Sequence, residues 1–220
     1  MYYIPRRKHR RNNAENMEGR LPEPYIHCLV PLTSYFLSHA SFIFEISRGV
    51  SALSGKNQRF LNDLTIRKGK RSDTALVLRF IRELAEYEGI ADRITATEES
   101  LAENLFGDDA AAETVLALVA EETVGFAVFY HSFSTILGRK GLHLDDLYIR
   151  PDWRGKGLGT TMLKWLASLA VERKCGRFEW WCMKNNTPAL DFYHRIGAKN
   201  LDEVSILRLE GRDLENFASE

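Results

Sequence analysis

Apolar residues recur with the periods of helices and strands only from about residue 64 onward. Thr65-Ile66-Arg67 reads as a short strand. Ser72 or Asp73 then caps a helix whose apolar stripe runs Val77, Phe80/Ile81, Leu84 and Tyr87, one face of a 3.6-residue repeat, and Gly89 stops it. Thr97 caps a second helix, with Glu98 and Glu99 at the positive end of its dipole, Leu101 and Leu105 on one face, and Gly107 at its end. Thr114 to Ala120 and Thr123 to His131 are apolar, β-rich runs joined across Glu121-Glu122, the signature of a hairpin. Gly141 to Arg150 is a further strand carrying Leu142, Leu144, Leu147 and Ile149. A long helix follows from about Gly157 to Glu172, then a strand from Arg177 to Cys182. Thr187 caps a short helix with Pro188 at its tolerated first position and Gly197 just past its end, and a last strand is expected over Val204 to Leu209.

The order β-α-α-β-β-β-α-β-α-β predicts an α/β domain of three layers, a mixed sheet flanked by helices. Residues 1–63 carry basic, proline-containing and serine-rich patches with no sustained period, so the division expected is a poorly structured N-terminal extension, 1–63, and one folded domain, 64–220. At 220 residues and 45% hydrophobic content the chain buries one full core and hardly two.

Formal net charge is zero, yet Arg6, Arg7, Lys8, Arg10 and Arg11 sit in the first eleven residues with no acid among them, which leaves the remainder at −5. An acidic body suits a small cationic substrate better than a nucleic acid. The apolar stretch from Leu29 to Ile46 is broken by Pro31, His39 and Glu45, too interrupted for a membrane span of about 20 residues. Pro22, Glu23 and Pro24 argue against reading the basic start as a secretory signal. Cys28, Cys175 and Cys182 are odd in number and match no metal-binding pattern, as expected of free thiols in a cytoplasmic protein. His131, His143 and His194 show no ligand spacing, and no metal is expected.

The strongest chemical signal is Arg154-Gly155-Lys156-Gly157-Leu158-Gly159, placed after a strand and opening a helix. Alternating glycines permit a tight turn with backbone N–H groups facing outward, and the helix adds its N-terminal partial charge. With Arg154 and Lys156 flanking, this is a cradle for a pyrophosphate. The bland alternative is that the three glycines merely shape the turn. The spacing is neither that of the dinucleotide fingerprint nor that of the nucleotide P-loop.

The segment Leu147-Tyr148-Ile149-Arg150-Pro151-Asp152-Trp153-Arg154-Gly155-Lys156-Gly157-Leu158-Gly159 closely resembles the acetyl-CoA-binding motif of the GNAT acetyltransferases, whose pattern Arg/Gln-x-x-Gly-x-Gly/Ala is met by Arg154, Gly157 and Gly159. A second block, Asn186 to Ala198, resembles the C-terminal motif of the same family. A narrower resemblance, to the diamine acetyltransferases of the spermidine/spermine and thialysine branch, rests on Ile81 to Glu88, on Leu144-Asp145-Asp146-Leu147 and on Phe192-Tyr193, and spans about Thr65 to Leu209.

The resemblance implies a GNAT fold and direct transfer of an acetyl group from acetyl-CoA to a primary amine of a small diamine, polyamine or lysine analogue within a ternary complex. It implies that Leu147, Tyr148 and Ile149 line the thioester arm, that Arg154, Gly155, Lys156, Gly157, Leu158, Gly159 and Thr160 hold the pyrophosphate, and that Asn186 contacts the pantetheine. Tyr193 would be the general acid for a departing thiolate; the alternative is a tyrosine packed on its helix with its hydroxyl in solvent. Tyr87, Glu88, Asp145 and Asp146 would face the amine, where carboxylates attract an ammonium and help remove its proton. Asp145 and Asp146 point to opposite faces of a regular strand, so both serve one site only if a bulge redirects one of them. Two departures from the branch stand out: Asn185, preceded by Lys184, replaces an aromatic residue before Asn186, and the usual tryptophan near the last strand is missing around Val204 to Ile206. Trp180, Trp181 and Cys182 are read as core and pocket wall.

Two other readings remain open at this level: acetylation of a protein N-terminus or lysine side chain, which needs an open peptide groove, and a GNAT-fold module that binds acetyl-CoA without turnover. A cytoplasmic homodimer acting on a small amine, with no nucleic-acid or membrane partner, is the expectation carried forward. Because residues 1–63 contain no part of either motif, a chain beginning at Leu64 is expected to fold and to acetylate amines as the full chain does. Loss of folding or activity on that truncation, read by circular dichroism and an acetyl-transfer assay, would place the extension inside the domain.

Overall fold

The computed structural model describes residues 61–219; the expected extension lies outside them except for Leu61 to Asp63. The elements are β1 (Leu64–Lys68), α1 (Thr74–Glu88), α2 (Glu98–Phe106), β2 (Glu113–Val119), β3 (Glu122–Ser134), β4 (Arg139–Ile149), α3 (Leu158–Glu172), β5 (Arg177–Trp180), α4 (Thr187–Arg195) and α5 (Gly211–Ser219). The five strands lie side by side in chain order. β1 to β4 pair antiparallel, and β5 joins β4 in parallel after the crossover through α3. The sheet is therefore mixed, with helices on both faces, and the expected three layers are present.

Each face buries its own cluster. On one, Leu158, Met162, Leu163, Leu166 and Ala170 of α3 pack against Val115, Ala117, Ala127, Phe129, Leu142 and Leu144. On the other, Val77 and Phe80 of α1 and Leu105 of α2 cover Leu116, Phe126, Val128 and Tyr148. Phe80 and Phe126, both fully buried, stack at 5.4 Å between ring centroids. Each such ring contributes roughly 1.5–3 kcal/mol of burial. Leu61 packs against the α3-side cluster, and Ala120 N–H donates to the Asp63 carbonyl at 3.3 Å, so contacts of the domain begin before Leu64.

Local signals in the sequence act largely as expected. Thr97 Oγ accepts from Ser100 N–H while Ser100 Oγ accepts from Thr97 N–H, a reciprocal cap at the start of α2. Gly89 ends α1 with a left-handed φ of 71°. Asp73 precedes α1, but its carboxylate accepts from Lys70 N–H and pairs with Arg67 at 2.7 Å, closing the short 3-10 turn before the helix instead of capping the helix itself.

Three expectations are corrected. The cap of α4 is Asn186, whose Oδ1 accepts from Ala189 N–H at 3.3 Å; Thr187 is the first helical residue. β5 ends at Trp180 and does not reach Cys182. The last strand over Val204 to Leu209 does not form among the described residues: the segment pairs with no described strand, and Val204, Ile206, Leu207 and Leu209 are 46–91% exposed. Its alternating, β-branched pattern makes it competent to pair, but a strand exists only where a second edge meets it.

β4 contains the irregularity that shapes the rest. Val128 lies opposite Asp146 while Phe129 lies opposite Leu144, so Asp145 is an extra residue with no partner on β3. Before it, Leu142 and Leu144 face α3; after it, Leu147 and Ile149 face α3 and Tyr148 turns to α1.

Candidate functional site

β4 and β5 are paired from Gly141 opposite Arg177 to Leu144 opposite Trp180, and there the pairing stops. β4 runs on to Ile149 bonded only to β3 among the described residues, which leaves one backbone edge of Leu147, Tyr148 and Ile149 open. Two causes meet at this point. The extra residue at Asp145 strengthens the local twist of β4 away from its neighbour, and the chain after Trp180 leaves toward Asn186, the cap of α4. Part of the open edge is engaged from within, since Arg154 Nε donates to the Ile149 carbonyl at 2.8 Å.

The acids expected at the site converge beside this opening. The bulge carries Asp146 onto the α1 side of the sheet, where its carboxyl senses Asp145 and Glu88. Burial, then the charges of Asp145 and Glu88, pushes the Asp146 carboxyl from its usual value near 3.8 up to about 7. Burial raises Glu88 as well. Asp145 stays exposed. The bulge that strand geometry requires before both aspartates can reach one site is present.

Tyr193 sits on α4 with its ring 5.1 Å from Trp180 and 5.4 Å from Phe192. Burial, with smaller contributions from Cys182 and Glu88, raises its hydroxyl to about 12. A phenol in that state holds its proton throughout the neutral range. Tyr87 is half exposed at the end of α1, beside Glu88.

The glycine-rich loop has the backbone its sequence implies. Gly155 and Gly157 take left-handed φ values of 71° and 87°, and Gly157 occupies the cap position of α3. It supplies no side-chain cap, so the amides of Leu158, Gly159 and Thr160 have neither a capping side chain nor an intrahelical acceptor. A Cβ added at Gly155 or Gly159 would meet no atom within 4 Å. Packing therefore does not require a glycine at 159, and the space above it is open. Open donors, a helix dipole and clearance fit the pyrophosphate of acetyl-CoA. The Arg154 guanidinium lies 4.3 Å from the centre of the Tyr87 ring and 5.4 Å from that of Tyr148, tying the loop to α1. Lys156 Nζ lies 4.4 Å from the centre of the Trp153 ring.

Asn186 lines an open cleft of about 210 Å³ together with Tyr87, Glu88, Met183, Asn185 and Pro188. The cleft brings the end of α1 opposite the start of α4, so Tyr87, Glu88 and Asn186, distant in sequence, become neighbours. Met183 and Pro188 were not singled out as binding residues. They follow a strand that ends early, and nothing in their spacing marks them. Among the described residues no group of three His, Cys, Asp or Glu side chains is placed to hold a metal ion, and no helix is long and apolar enough to cross a membrane.

Comparison with known proteins places this geometry. The family model described as Acetyltransferase (GNAT) family matches residues 78–198. The thialysine N-epsilon-acetyltransferase of Sus scrofa is 32% identical over 164 residues, covering 70% of this chain and 96% of that protein. The thialysine N-epsilon-acetyltransferase of Caenorhabditis elegans is 33% identical over 147 residues, covering 66% and 90%. Among solved structures, an integron cassette protein from the mobile metagenome of V. cholerae superposes with a TM-score of 0.62 at 29% identity, over 72% of this chain and 99% of that one.

Two measurements test the site. Gly159→Ala is expected to leave stability unchanged or raise it by up to about 1 kcal/mol, from helix propensity, while weakening acetyl-CoA binding at least tenfold in calorimetry. Unchanged affinity in the folded variant would refute the cradle. Asp146 titrates near its ordinary value when unfolded and near 7 when folded, so the folded state holds an extra proton between those values and loses stability as pH rises through that window. Asp146→Asn is therefore expected to unfold at higher denaturant than the parent at pH 8, by up to about 4 kcal/mol, with the gain vanishing below pH about 4. A gain independent of pH would reject the assigned burial.

Proposed function

The chain belongs to the acetyltransferase (GNAT) family and is an N-acetyltransferase, and on that premise we propose that it moves the acetyl group of acetyl-CoA onto a primary amine of a small molecule, a diamine, polyamine or lysine analogue, by direct attack in a ternary complex. The observation that carries this reading is the gathering of Glu88, Asp146 and Tyr193 around the place where β4 and β5 part. The relatives' activities by name, thialysine for two of them and L-ornithine for an Arabidopsis thaliana protein 33% identical over 91 residues, support a small amine as acceptor.

The roles follow from the state of each group. An amine reaches the protein as an ammonium, and the carboxylates of Glu88, Asp145 and Asp146 attract it. Only the neutral amine is nucleophilic, so a proton must leave first. Asp146 is suited to take it, because a carboxyl poised near 7 is ionised often enough at neutral pH to accept a proton and basic enough to hold one. Acetyl-CoA supplies an activated acetyl thioester. The open edge of β4 is suited to orient it, and the first-turn amides of α3 to hold its phosphates. The Tyr193 hydroxyl keeps its proton for the departing sulfur. Asn186, engaged as the cap of α4, presents the rest of its side chain to the cleft.

A homodimer is part of this reading. The exposed side chains of Val204, Ile206, Leu207 and Leu209 form an apolar run that a second copy would cover.

Tyr193→Phe is expected to lower turnover about 10²- to 10⁴-fold, with acetyl-CoA binding preserved because the ring still packs on Trp180. Glu88→Gln is expected to raise the Michaelis constant of monoamines and dicationic amines alike, because Glu88 attracts the ammonium that is to react. The assay is a panel of spermidine, putrescine, thialysine, lysine and a short peptide. Turnover of the peptide alone would replace the small-molecule acceptor with a protein one, and no turnover with acetyl-CoA bound would make the chain a binding module. Near-normal turnover in Tyr193→Phe would remove the assigned acid.

A further inference from the structure

On the α1-side face of the sheet, beyond the part that α1 and α2 cover, β3, β4 and β5 present a second group of side chains. His143 is 4% exposed and lies between two rings, 4.9 Å from Tyr130 and 4.9 Å edge-on from Trp181, whose own ring is half exposed. Among the described residues, His143 Nε2 is the one buried side-chain nitrogen or oxygen without a hydrogen-bond partner. The carboxylates of Asp145 and Glu179 act electrostatically on both Tyr130 and His143. Glu179 is partly engaged, accepting from Ser132 Oγ at 3.2 Å and pairing with Arg177 at 3.0 Å. Asp145 makes no such pair and faces solvent.

A buried polar nitrogen without a partner is a cost that folding alone does not reward. Aromatic faces beside carboxylates attract cations, and Trp is the strongest of the rings in this respect. Burial lowers the basicity of His143, so its imidazole stays neutral and free to accept a hydrogen bond without repelling a positive charge. Asp145 links the two places: the same extra residue that interacts with Asp146 also interacts with Tyr130 and His143. The register sets the two centres two residues of β3 apart, with His143 opposite Tyr130 and Asp146 opposite Val128, about 7 Å at the rise of a strand, a distance that an extended diamine or triamine bridges.

We infer that Tyr130, His143 and Trp181, with Asp145 and Glu179, form a subsite for the distal ammonium of the acceptor, held by the aromatic faces and hydrogen-bonded to His143 Nε2. The inference rests on the acetyltransferase reading above and extends it to substrate length. The amine to be acetylated lies by Glu88 and Asp146, and its second nitrogen lies on the outer half of the sheet. Selection then favours acceptors whose second positive charge stands several bonds from the reacting nitrogen, and a monoamine gains nothing from the subsite.

Two variants of the full chain test it. His143→Phe fills the same space without the nitrogen, and Trp181→Ala removes a ring that is already half exposed. Each is expected to raise the KM for spermidine at least tenfold, to leave kcat within about twofold, and to leave both constants for a monoamine of matched length unchanged. His143→Gln, whose amide oxygen offers an acceptor near the Nε2 position, should restore part of the loss. His143→Phe should unfold at the same or a higher temperature, since it removes an unpartnered polar atom; a purely structural histidine would lower that temperature and change both amines alike. Spermidine kinetics unchanged in both variants would overturn the subsite while leaving the acetyltransferase reading intact. If no small amine is acetylated, that reading fails first. Calorimetric titration of spermidine with CoA present then decides the subsite alone: saturable binding weakened tenfold by His143→Phe supports it, and absent or unchanged binding overturns it.

Discussion

One extra residue in β4 governs the arrangement of everything near the chemistry. With a regular strand, Leu142, Leu144 and Asp146 would share the α3 face and a carboxylate would enter an apolar core. Inserting Asp145 reverses the alternation, so Leu147 and Ile149 take the core face, Tyr148 moves under α1, and Asp146 lands beside Glu88. The same irregularity coincides with the end of β4–β5 pairing, which leaves the backbone edge of β4 open. Side-chain placement and backbone exposure thus have a common origin.

The site is held by interactions that are individually modest and mutually dependent. Arg150 pairs with Glu83 at 2.9 Å and lies over Phe80, fixing the end of β4 to the middle of α1. Arg154 bonds the Ile149 carbonyl and covers Tyr87 and Tyr148, fixing the glycine loop to the last turn of α1. These two arginines keep α1, which carries Glu88, in register with the helix start that faces the loop. Half-exposed ion pairs contribute little on their own, so the value of these lies in position more than in stability.

Several features here oppose folding. Asp146 is partly buried among like charges, α3 begins without a side-chain cap, and His143 Nε2 has no partner among the described residues. Each costs free energy that a purely structural domain would avoid by substituting an apolar residue or a capping serine. Their concentration within one region, while the two cores are packed without such defects, is the physical mark of a region shaped by ligands.

Much of the molecule was legible in the sequence. Helix periods, the Thr97 cap, Gly89 and Gly107 as stops, the hairpin and the glycine loop all depend on contacts a few residues apart, which a linear reading captures. The motif blocks around Arg154 to Gly159 and Asn186 to Tyr193 identified the family for the same reason. Asp145 was different. The strand period stated that a bulge was needed, but nothing local decided that one would form, because a bulge is settled by which partner β3 offers and which faces α1 and α3 bury. The segment Val204 to Leu209 failed in the opposite sense: its pattern is that of a strand, yet pairing needs an edge that only three-dimensional assembly provides. Short-range chemistry therefore determined the elements, the reaction class and the candidate residues. Tertiary packing alone decided that Asp145 bulges and Asp146 turns toward Glu88, that Arg154 lies over tyrosine rings, and that His143 is buried without a partner, because each depends on which distant surfaces meet.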